Sequence, residues 1–159
     1  ANVQNMNHMF YFCYGLTELD LSHFDTADVT DMYQMFCGCK NLVELDISNN
    51  HISNIGSLSA LTKLELLDFA RNEVEEFPAW PEGSALRTID GSYNKLTSVY
   101  RLKDLMELSH LYLDYNELTE ISYLASCYKL VMVNVYGNSV TGVDKLTERS
   151  IIVNYNPMA

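Results

Sequence analysis

Positive charge is scarce in this chain. Its 159 residues hold ten lysines and arginines against 21 aspartates and glutamates, a net charge of −11. Phosphate backbones and anionic bilayers repel such a surface, so nucleic acid is excluded as a partner and a basic partner is admitted. Long apolar runs are missing too. None spans a bilayer, so no membrane insertion is expected of this segment, and no stretch reads as a signal peptide. The chemistry of catalysis is equally thin. There is no nucleophile–base–acid set, no phosphate-binding loop and no cluster with metal-ligand spacing, which points away from an enzyme and calls for no catalytic residue, cofactor or metal. The four cysteines do not suggest a disulfide framework. Cys13, Cys39 and Cys127 occupy one repeating slot that leucines fill elsewhere, and they read as small buried groups carrying free thiols. Cys37-Gly38-Cys39 offers only two thiols and no companion pair.

What is abundant is repetition. Asn50, Asn72, Asn94, Asn116 and Asn138 stand 22 residues apart. Each closes the phrase L-x-x-L-x-L-x-x-N-x-L, as in LVELDISNNHI from Leu42 and LSHLYLDYNEL from Leu108. A fixed period of this length marks a solenoid. Within the phrase, x-L-x-L-x has the alternation of a strand with one buried face. Leu45 and Ile47, Leu67 and Phe69, Leu111 and Leu113, and Val133 and Val135 point inward. The asparagine amide bonds backbone groups at the bend and, stacked turn on turn, forms a ladder. The returns are too short for long helices, which predicts 3₁₀ turns and extended segments. Gly91 takes an inward position where leucine is expected, which predicts local underpacking. FPAWPEGSAL, from Phe77, carries two prolines and reads as extended. The last turn is clipped, with Ile151 and Val153 as its inward pair.

The N-terminal part repeats with an offset of 26. Val3, Met6, Met9, Phe10, Cys13, Leu16, Leu19 and Leu21 recur as Val29, Met32, Met35, Phe36, Cys39, Leu42, Leu45 and Ile47. Phe24 stands where the ladder asparagine would be, so an inserted aromatic is expected to close that turn. The stretch LDLSHFDTADVTDMYQMFCGCKNL resembles the BspA-type repeat of bacterial surface proteins. The 22-residue turns resemble internalin-like leucine-rich repeats. The fold class this implies is α/β: a right-handed leucine-rich repeat solenoid with a parallel concave sheet of about seven short strands and 3₁₀ or extended convex returns. It forms one domain over 1–159, BspA-type in 1–41 and internalin-like in 42–159. The chain begins inside a return, and solenoid ends need caps, so it reads as a fragment of a longer protein.

The register assigns an exposed face. Between the inward strand residues lie Asp20, Asp46, Asp68 and Asp90, then Tyr112, Asn134 and Ile152. Ahead of them run Glu18, Glu44, Leu66, Thr88, His110, Met132 and Ser150. The two positions after the strand supply Tyr93, Tyr115, Tyr136 and Tyr155. The face thus divides into an acidic ladder and a tyrosine-rich part. Tyrosine offers contact area with few rotors and a polar tip, which suits an interface. The acids suit lysine and arginine of a partner, or stand solvated and idle. Arg71 is expected to pair with Asp46 or Asp68, and His23 and His110 to be plain surface polar residues. The concave partner-binding candidates are therefore Tyr93, Tyr112, Tyr115, Tyr136, Tyr155, Asp20, Asp46, Asp68, Asp90, His110 and Met132. The resemblance implies an extracellular or cell-surface adhesion module whose partner is a protein, on a host or another cell. A glycan-binding surface or an intracellular scaffold are the alternatives.

Overall fold

Leucine alternation and asparagine bends build one parallel sheet of seven three-residue strands, stacked in chain order. The computed structural model describes residues 6–22, 24 and 34–156. The expectations for Val3, His23, Val29 and Met32 fall outside the described residues. The strands are β1 (Glu18–Asp20), β2 (Glu44–Asp46), β3 (Leu66–Asp68), β4 (Thr88–Asp90), β5 (His110–Tyr112), β6 (Met132–Asn134) and β7 (Ile152–Asn154). Neighbouring strands pair residue for residue, so Leu45, Leu67, Ile89, Leu111, Val133 and Val153 form one inward row. All but Val153 are fully buried. The fold is a leucine-rich repeat solenoid.

The returns behave as short, apolar-anchored segments. Gly56–Ala60, Tyr100–Leu102 and Ser122–Ser126 are 3₁₀ turns, each burying one leucine: Leu58, Leu102 or Leu124. The proline-bearing return from Phe77 is extended, as its composition requires. The last return departs from the pattern. It forms a one-turn α-helix, α1 (Val143–Thr147), entered through Gly142 at φ 81°. Trp80 packs half-buried against the core from the extended return, and its indole Nε1 is buried without an acceptor.

The asparagine ladder joins turn to turn. The amide of Asn94 donates to the carbonyls of Gly91 and Ser92 in its own bend and to Phe69 one turn earlier, while its Oδ1 accepts the Val74 amide. Asn72, Asn116 and Asn138 repeat these contacts, and all are buried. Each side chain therefore adds bonds to its own bend and to the turn before, beside the backbone bonds that join the bends, such as the Arg71 amide to the Ser92 carbonyl. Phe24 does not close the first turn as an inserted ring; it is exposed, and the Leu21 carbonyl takes the Asn50 amide instead.

Gly91 is not a void. A Cβ there would stand 2.5 Å from Cζ of Phe69, which fills the space from the neighbouring turn. The underpacking expected from composition is absent because the larger ring of one turn faces the missing side chain of the next. The thiols sit in the core slot. Cys39 donates to the Phe10 carbonyl and Cys127 to the Leu102 carbonyl. Burial pushes the Cys127 thiol up to about 11, so it stays protonated. In the outermost described turn the same slots are open: Met9 is exposed and Cys13 half-buried, where Met35 and Cys39 are covered.

Candidate functional site

The sheet face holds two outward rows. In the first, Asp20, Asp46, Asp68 and Asp90 stand opposite one another across β1 to β4, followed by Tyr112, Asn134 and Asn154. These acids have local work. Oδ1 of each accepts the amide two residues on, at Ser22, Ser48, Ala70 and Ser92, and so pins the bend after its strand. Asp68, in the middle, is raised to about 6. Burial is the main cause, the Ala70 amide opposes it, and the carboxylates of Asp90 and Asp46 add to it. The second row runs Glu18, Glu44, Leu66, Thr88, His110, Met132 and Ile152. Leu66 and Ile152 are exposed. His110 is half-buried, and its Nδ1 lies 2.9 Å from Ser109 Oγ.

Tyrosines form a ridge beside these rows. Tyr93 and Tyr115 each follow their strand by three residues, at the left-handed position before a ladder asparagine, with φ of 57° and 55°. Asn49 and Arg71 hold that conformation in earlier turns, so the bend imposes it. Equal rank lays the Tyr93 and Tyr115 rings face to face, 4.6 Å apart and 17° from parallel. Gly137 follows at the same rank, and a Cβ on it would meet the Tyr115 ring at 2.7 Å. Tyr136 then approaches Tyr115 edge-on, with centroids 5.8 Å apart. Tyr93, Tyr115 and Tyr136 are 42%, 46% and 50% exposed.

Two assignments change. Arg71 does not pair with Asp46 or Asp68. Its guanidinium carbon sits 4.3 Å from the Tyr93 centroid, capping the ridge. Stacking on a ring leaves the guanidinium hydrated at its edge, which a half-buried carboxylate cannot match. The last strand is also placed differently. Val153 pairs with Val133 and Ile152 with Met132, so Asn154 takes the position assigned to Ile152, and its amide donates to Oδ1 of Asn134 at 2.6 Å. Tyr155 therefore has the rank of Val135 and does not extend the ridge. Counting back from the inward pair misplaced this turn because α1 shortens the return before it.

A second aromatic group was not legible beforehand. On the return side Tyr100 and Tyr123 meet edge-to-face at 5.1 Å, and Lys103 lies over Tyr100. Tyr123 directly precedes the buried Leu124 while Tyr100 stands two residues before Leu102, so no shared rank in the repeat announces the pair. Among the described residues no three histidine, cysteine, aspartate or glutamate side chains converge as a metal set. No helix there is long and apolar enough to cross a membrane.

Residues 1–69 match the family model described as "Mycoplasma protein of unknown function, DUF285". That match runs past residue 41 through β2 and β3. No curated protein matches the sequence. Among solved structures, internalin C2 of Listeria monocytogenes superposes with a TM-score of 0.77 at 24% identity, over 88% of this chain and 61% of that one. An internalin (inlF) of the same organism gives 0.54 at 20% identity, over 90% and 56%. A plant peptide hormone receptor, RGFR1 in complex with RGF2, gives 0.55 at 28% identity, over 65% and 18%. The chain thus spans less than two thirds of the length of each of these proteins. What it shares with them is the leucine-rich repeat fold.

Proposed function

We propose that this is a non-enzymatic protein-recognition domain that binds through its sheet face, as part of a longer bacterial surface or secreted protein used in adhesion. The observation that carries the reading is the alignment of exposed side chains. Strict strand pairing gathers four aspartates and a run of tyrosines into parallel rows, with the ridge at Tyr93, Tyr115 and Tyr136 left open to solvent. Exposed aromatics with few rotors bind at low entropic cost and dominate interface energetics. The candidate contacts are Tyr93, Tyr112, Tyr115 and Tyr136, with Asp20, Asp46, Asp68, Asp90, His110 and Met132 beside them. The likeness to internalins supports an extracellular setting, and the receptor bound to a peptide supports protein ligands for this fold. Two repeat classes, in 1–41 and 42–159, form one continuous domain in this reading.

The test is a comparison of wild type with the Tyr112→Ala/Tyr115→Ala variant in capture from a bacterial or host-cell extract, followed by titration of the captured protein. The variant is expected to melt as wild type does and to bind about tenfold or more weakly. Equal affinity of the two would refute the sheet-face reading. A glycan is the second reading, since stacked tyrosine edges also make sugar platforms; glycan-array binding that disappears in Tyr112→Ala would favour it.

A further inference from the structure

The tyrosine ridge is capped at one end only. Arg71 covers the Tyr93 face, so the molecule already shows what these rings accept: a guanidinium at 4.3 Å. At the other end Tyr115 and Tyr136 meet at 67°, leaving a corner rather than a closed stack. Gly137 keeps the backbone close beside the Tyr115 ring. Oδ1 of Asp114 accepts the Tyr136 amide at 2.7 Å, which fixes a carboxylate beneath this corner. Burial is the main cause that raises the Asp114 carboxyl, the Tyr136 amide opposes it, and Asp90 lies near enough to add to it.

Four of the molecule's own cations are held in ion pairs elsewhere. Arg87 pairs with Glu65, Lys95 with Glu73, Arg101 with Glu76 and Lys129 with Glu107. Among the described residues no ion pair reaches Asp68, Asp90 or Asp114. Half-buried carboxylates beside an exposed aromatic corner favour one kind of visitor. A guanidinium would gain ring contact and counter-charge together, and its fork of donors satisfies carboxylate oxygens at the same time.

We infer that the Tyr115–Tyr136 corner seats an arginine side chain of a protein partner, with Asp114 and Asp90 supplying its counter-charge. This rests on the sheet-face reading above and names the chemistry of the partner within it. The arginine mirrors Arg71 across the ridge, so the ring stack is bracketed by one internal and one external cation.

The probe is a fluorescein-labelled (Gly-Arg)₃ peptide, with (Gly-citrulline)₃ as the uncharged counterpart, followed by anisotropy at low salt. The arginine peptide is expected to bind about tenfold tighter than the citrulline peptide. Tyr136→Ala and Asp114→Asn should each weaken it about fivefold, and Tyr136→Phe should bind as wild type, because the ring face and not the hydroxyl is used. Far-UV circular dichroism and melting curves control for folding; if Tyr136→Ala melts early, Asp114→Asn and Tyr136→Phe carry the comparison. Equal binding of both peptides overturns the inference. So does binding untouched by Tyr136→Ala and Asp114→Asn, which would be unlocalised attraction to an acidic protein. Loss in Tyr136→Phe also overturns it and points to hydroxyl recognition, as a sugar would use. Should the arginine peptide fail while capture of a whole partner still depends on Tyr112 and Tyr115, the sheet-face reading stands and this one falls.

Discussion

At the scale of single residues, the ladder asparagines carry the most structure per atom. Asn94 makes four bonds to backbone: it is the acceptor for the Val74 amide and a second donor to the carbonyls of Phe69, Gly91 and Ser92, which also receive Asn72, Asn116 and the Arg71 amide. Asn94→Ala removes all of them, leaves the buried Val74 amide unpaired and takes one of two donors from each of three carbonyls. The expected cost is about 1–3 kcal/mol, read as a lower midpoint in urea with an unchanged slope. A superimposable denaturation curve would show that water or a relaxed bend replaces the side chain. The aspartates of the exposed row are residues of the same kind in part. They look like free docking charges in the sequence, yet each spends one oxygen on its own turn. That dual use was not legible from spacing alone, since an outward rank says nothing about a bond two residues downstream.

At the scale of elements, the strands were readable almost to the residue. The inward pairs, the in-register Asp row and the extended proline return follow from alternation and period. What escaped the sequence came from neighbours in space. Gly91 looked like a gap because its own turn has no side chain there; the gap is filled by Phe69 of the turn before. Gly91→Ala should therefore destabilise by about 1–3 kcal/mol through overpacking, against the usual gain from replacing a glycine. Adding Phe69→Leu should restore part of the loss, and a double-mutant cycle in chemical denaturation would measure the coupling. Additive effects would mean that the ring moves aside. The last strand was misread for a similar reason. The one-turn helix α1 replaces the usual return, and no count from the preceding asparagine foresees how many residues it consumes.

At the scale of the whole molecule, charge lies unevenly. Residues 1–80 carry 12 acids and 3 bases, and residues 81–159 carry 9 acids and 7 bases, a net of −9 against −2. Burial of Asp68, with a smaller push from Asp90 and Asp46, adds a pH dependence. Asp68 binds its proton more tightly in the folded chain, at about 6, than an unfolded aspartate does. Its contribution to stability is then fully present below about pH 4 and is lost as pH rises through about 6. Discounted for its partial exposure, this amounts to about 1 kcal/mol. Wild type should lose more stability than Asp68→Asn between pH 4 and 7, measured by calorimetry. Parallel curves for the two proteins would remove Asp68 as the cause.

The single tryptophan stands near the middle of the array, in the extended return, with its indole nitrogen shut away from water. Its fluorescence is thus a private report on one coil, whereas circular dichroism averages over all of them. In a stack whose coils touch only their neighbours, the two signals need not change together. Coincident transitions would mean that the coils melt as a block; a lag of the emission shift would mean that the array frays from its ends while the centre still holds.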